Sequence, residues 1–100
     1  MTQYNGAAGK GSKSIFPEVT FSTFIISLAS SALVGLGEVP DPSTGQKACD
    51  LLFARHNIDV LEMLRQKTAG ALEDDESRLL ENILCELRLK YVIISNPSKK

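Results

Sequence analysis

Three stretches of the chain repeat apolar residues at the three- and four-residue spacing of an α-helix, and the segments between them do not. In the first, Phe21, Phe24, Ile25, Leu28, Ala29, Ala32, Leu33 and Leu36 fall on one broad arc, while Thr23, Ser27, Ser30 and Ser31 take the remainder. Thr20 or Ser22 can serve as N-cap, and Gly37 followed by Pro40 supplies the stop, so a helix over about 21–36 is predicted. The second helix is expected over about 46–68. Leu51, Ala54, Ile58 and Leu61 make one stripe, and Phe53, Val60 and Leu64 make another beside it, which implies two neighbours. Arg55, Asp59 and Glu62 are expected on its outer arc, and Gly70, after Arg65 and Lys67, ends it. The third, over about 74–94, opens on Glu73-Asp74-Asp75-Glu76 and carries Leu80, Ile83, Leu84, Leu87, Tyr91 and Ile94 on one face. The β-branched and aromatic run Tyr91 to Ile94 could let its last turn leave the helix.

Between the first two helices, Pro40 and Pro42 remove backbone donors and turn their preceding residues away from the α region, so Glu38 to Gly45 reads as loop. Residues 1–18 are mostly Gly, Ala, Ser and Lys with little to bury, and are expected to form a disordered tail. Pro97, Lys99 and Lys100 mark a loose C-terminus over 96–100. The expectation is therefore an all-α chain: one small three-helix hairpin or bundle domain over 19–95, with room for a single core.

The first helix is the unusual one, because no charged residue occurs between Glu18 and Glu38. A helix on the surface of a small monomer normally carries Lys or Glu outward, so this one is expected to be enclosed on nearly all sides. Ser27, Ser31 and Gly35, four apart, would let another helix approach closely. The run Val19 to Gly37 has nineteen uncharged residues and approaches the length of a membrane span. Its six Ser/Thr and two Gly dilute the hydrophobicity, and neither basic flanks nor a Trp belt mark an interface, which disfavours insertion. A signal peptide is disfavoured too, since Pro17 and Glu18 interrupt the place where its apolar region should follow Lys13. A cytoplasmic protein is the expectation.

Eleven basic and twelve acidic side chains give a net charge of −1, so no global field favours nucleic acid, and Lys10, Lys13 and Tyr4 make only a thin phosphate-binding signal. Cys49 and Cys85 lack metal-type spacing, fall within predicted helices and are expected to be reduced and buried. Glu73 to Glu76 lack the spaced ligands and turn glycine of a calcium loop and suit the positive end of a helix dipole. His56, the only histidine, has Asp59 one turn on, but no motif flags a nucleophile and no second histidine follows. Gly6, Gly9 and Gly11 follow no strand and fit no phosphate loop. No catalytic, metal or cofactor site is expected.

The words FSTFIISLASSALVGLGEVPDP (Phe21 to Pro42), IDVLEML (Ile58 to Leu64) and LLENIL with the following LR (Leu79 to Leu84, Leu87-Arg88) closely resemble the short bacterial proteins of the domain of unknown function 1844 family. The resemblance covers about Val19 to Val92. It implies a helical domain in a bacterial cytoplasm and supplies no activity. The chain departs from that pattern at Glu73, where a capping Thr is expected, and at His56-Asn57, where Gln-Thr is expected.

The functional expectation is a non-enzymatic module that self-associates through its first helix as a homo-oligomer and presents the other two to an unidentified protein partner. Small domains without disulfides or metals often gain stability this way. The interface residues expected are Phe21, Phe24, Ile25, Leu28 and Leu33, with Ile58 and Leu61 facing them. Two alternatives stand beside it: membrane association with helix 21–36 inserted, and an enzyme or ligand carrier whose site forms between subunits around His56 or Cys85.

Overall fold

The computed structural model describes residues 18–96, which form three helices, α1 (Phe21–Gly35), α2 (Leu51–Lys67) and α3 (Asp74–Ser95), with no strand among the described residues. The expected tail and loose C-terminus lie outside the described residues except for Glu18 and Asn96.

Thr20, rather than Ser22, caps α1. Its Oγ1 accepts from the Thr23 backbone N–H at 3.0 Å, and its own N–H donates to Thr23 Oγ1 at 3.1 Å, so two donors that the helix start would orphan are satisfied reciprocally. At the other end Gly37 takes φ 79°, which puts its N–H on Val34 O and the Glu38 N–H on Leu33 O, both at 3.0 Å. This is the paired closure of a Schellman motif, and it needs a residue without a Cβ penalty at that position.

From there the chain crosses the proline loop and is tied back by the Asp50 N–H, which donates to Gly35 O at 2.7 Å. That tertiary bond corrects the expected start of the second helix. The segment 46–50 is not helical, and α2 begins only at Leu51, where the Asp50 carboxylate accepts from the Phe53 N–H at 3.1 Å. Cys49 consequently lies in the connecting segment and is exposed; Cys85 is exposed on α3, so the expectation of buried thiols fails at both positions. Gly35 is where the two helices meet most closely. A Cβ built there would lie 2.8 Å from Ala54 N and 3.0 Å from Ala54 Cα.

The core takes one contribution from each element: Ile25, Ala32 and Leu36 from α1 and its cap, Ala54, Ile58 and Leu61 from α2, and Leu80, Leu84 and Leu87 from α3. Ile83, Tyr91 and Ile94 pack against it as partly buried neighbours, as the α3 pattern predicts. The last turn of α3 stays helical through Ser95, because Tyr91 and Ile94 reach this core and favour the conformation that keeps them there. Glu62 also differs from expectation. It turns toward α3, half-buried, where it pairs with Arg65 and Arg88.

Candidate functional site

The feature that distinguishes this bundle is what α1 leaves uncovered. Ile25, Ala32 and Gly35 are buried, but Phe24 is 47% exposed, Ile26 also 47%, and Ser27 and Ser30 are exposed beside them. The expectation that this helix is enclosed on nearly all sides therefore does not hold within one chain, because two neighbouring helices cover only one side of a cylinder. The result is an open helix face bearing Thr23, Phe24, Ile26, Ser27, Ser30, Ser31 and Val34, with no charge on it.

The residues expected at an interface divide accordingly. Ile25, Ile58 and Leu61 lie in the chain's own core at 5% exposure or less, so they offer no surface to another molecule. Phe21, Leu28 and Leu33 are half-buried and pack against that core from its edge. Phe24 points outward. Phe53, which the sequence placed on the second stripe of α2, is 44% exposed and was not among the expected contacts; the signal was the stripe itself, Phe53 with Val60 and Leu64, which asks for a second neighbour. A further apolar group, Leu89, Val92 and Ile93, is exposed on the outer side of α3.

The candidates for chemistry are not assembled into a site. His56 is exposed, and Asp59, one turn on, pairs instead with Arg55 at 3.6 Å. The acidic run at the start of α3 serves the helix terminus: Glu76 accepts from the Glu73 N–H at 2.9 Å, while Glu73, in the capping position, makes no side-chain cap bond. Among the described residues no group of three or more His, Cys, Asp or Glu side chains could hold a metal ion.

Charge is concentrated between α2 and α3, away from the open face. Glu62 accepts from Arg65 at 2.7 Å, from Arg88, and from Gln66 at 3.0 Å, and Arg65 reaches Glu81 at 3.4 Å. The hydrogen bond from Arg65 is the main reason that the Glu62 carboxyl titrates at about 2, well below its ordinary 4.5; partial desolvation opposes this, and Arg88 and Gln66 reinforce it. Beside this network, at the α2–α3 turn, a hollow of about 330 Å³ is lined by Arg65, Thr68, Leu72, Asp74, Ser77 and Glu81 among others. It presents both signs of charge, its Thr68 hydroxyl donates to Leu64 O and not to a carboxylate, and its one cation is already paired.

No helix among the described residues is long and apolar enough to cross a membrane; α1, with 15 residues, spans only about 22 Å of the roughly 30 Å hydrocarbon layer. A family model described as "Domain of unknown function (DUF1844)" matches residues 18–93, the whole of the three-helix unit but for the last two residues of α3. No curated protein and no solved structure matches the chain.

Proposed function

The chain belongs to this family of domains of unknown function, and from that premise we propose that it works as a non-enzymatic protein–protein interaction module that associates with copies of itself through α1. One observation carries the reading: α1 is open on its outer side, with the large apolar Phe24 at one edge and Ile26 at the other, and no charge anywhere along it. A helix with no charged residue on its outer side, and with large apolar groups at both edges of it, has surface to bury against another molecule. A second copy brings an equally neutral face, so neither side buries an unpaired charge. Leu89, Val92 and Ile93 on α3 stay free in such an assembly for a different protein. A cytoplasmic setting belongs to the same reading, supported by two exposed, unbridged thiols, which a reducing compartment preserves.

Light scattering coupled to gel filtration tests this directly. The expected result is a mass of at least two chains at micromolar concentration, falling on dilution. A single-chain mass over the whole range, or quantitative capture by lipid vesicles, overturns the proposal.

A further inference from the structure

The open side of α1 is not an isolated strip; it continues onto α2, and the direction can be worked out from pairs on the page. On α2, Glu62 and Arg65 reach α3 through Arg88 and Glu81, so they mark the flank of α2 that adjoins α3. At 3.6 residues per turn, Phe53, Val60 and Leu64 lie on the opposite flank, which adjoins α1. Buried Asn57, whose Nδ2 donates to Phe53 O at 2.9 Å, lies on that flank as well. On α1, Gly35 touches Ala54 and so marks the side facing α2; Phe24, Ser31 and Ser27 follow outward from it around the helix. The two helices thus share an outward seam, with Phe24 at one end and Phe53 at the other, because Phe53 sits beside Ala54 where α2 meets the C-terminus of α1. Small Ser27 and Ser31 lie between the two rings.

Resting on the self-association reading, we infer that two copies pack seam on seam about a two-fold axis, with each copy's Phe24 over the other copy's Phe53. A second copy is the occupant that fits, for three reasons. The seam is neutral along α1 and at Phe53, Val60 and Leu64 on α2, and the one charged side chain on that flank of α2, Lys67, stands exposed at its last position, so a copy placed on the seam buries no charge in its middle. A two-fold axis pairs a patch with itself, and reversal of the seam brings its two aromatic ends into register. Area supplies the third reason: a stable interface takes about 800 Å² from each partner, whereas the outer strip of one 15-residue helix is about 22 Å long and about 10 Å wide. Adding α2, of 17 residues, doubles that footprint, and the relief of protruding side chains brings it toward the range that a dimer needs.

A double-mutant cycle with the full-length chain decides the matter, with sedimentation equilibrium giving the dimer dissociation constant and circular dichroism confirming helicity. Phe24→Lys and Phe53→Glu are each expected to weaken the dimer at least tenfold, and the double variant to recover most of the loss, because lysine of one copy then meets glutamate of the other. Within one chain the two positions are about 16 Å apart, eleven helical residues along the seam, so recovery reports contact between copies. Leu89→Glu on α3 is expected to leave the constant within about twofold. If Phe53→Glu loses helicity, Phe53→Ser takes its place and is expected to weaken the dimer as well. Losses that simply multiply in the double variant, or a dimer weakened by Leu89→Glu and not by Phe53→Glu, overturn the seam while leaving self-association intact. A wild type that never dimerises removes both.

Discussion

Gly35→Ala tests the junction on which the whole arrangement turns. In an ordinary helix position this change is favourable by about 1 kcal/mol, since glycine loses more backbone freedom on folding and alanine is the best helix former. Gly35 does not have positive φ, so the new side chain brings no strain of its own backbone. What it meets is the first turn of α2: the added carbon would stand 2.8 Å from Ala54 N, 3.0 Å from its Cα and 3.1 Å from its Cβ. Two of these three are backbone atoms and cannot rotate aside. The helices must separate by several tenths of an ångström, and the bond from Asp50 N–H to Gly35 O lies in the same junction. Overpacking of this kind costs about 1–3 kcal/mol, which against the propensity gain leaves a net loss of up to about 2 kcal/mol. For a domain of this size that lowers Tm by up to roughly 15 °C. Thermal melts followed by circular dichroism at one fixed protein concentration measure it, with Ser30→Ala on the exposed side of the same helix as reference, expected to be neutral or slightly stabilising. If Gly35→Ala melts at or above the wild type, the close approach of α1 and α2 is wrong, and with it the seam that depends on it.

Two further outcomes follow from the charged and thiol groups. The folded state holds the Glu62 carboxyl at about 2 against an ordinary 4.5, so its contribution to stability is fully present above about pH 4.5 and is lost as the pH falls toward 2; Tm should drop across that window, and Glu62→Gln should flatten part of the drop. A Glu62→Gln profile that superimposes on the wild type would show that the network with Arg65 and Arg88 does not exist in solution. Cys49 and Cys85, both exposed, should each be alkylated in the native protein without denaturant, read by intact mass; a thiol that reacts only after unfolding contradicts its placement.

Much of the fold was written locally. The spacing of Leu80, Leu84 and Leu87 and the acidic start of α3 define that helix without reference to anything distant, and Gly37 closes α1 through bonds reaching no further back than Leu33. The start of α2 was not legible in the same way. Gln46 to Cys49 contains no residue that forbids a helix, and the segment is held out of one by a bond from Asp50 to Gly35, fifteen positions away. A local clue existed in Asp50 itself, three residues before Phe53 and placed to accept its N–H. The candidate surface was half legible. An uncharged helix announces that something must cover it, but whether Ile25 or Phe24, and Leu61 or Phe53, faces inward depends on which sides of α1 and α2 meet. The close approach of Gly35 to Ala54 marks those sides, and no periodicity encodes it.

The absence of charge on the outer face of α1 also has a kinetic side. Electrostatic attraction raises association rates by orders of magnitude and makes them fall with ionic strength. A neutral face on a chain of net charge −1 has nothing with which to steer an approaching molecule. Whatever docks on it arrives by unguided diffusion and orientational search, at the about 10⁵–10⁶ M⁻¹s⁻¹ of uncharged encounters, and is nearly indifferent to salt. Lifetime on that face is then governed by the fit of aromatic and hydroxyl side chains after contact, so affinity is tuned through the rate of departure.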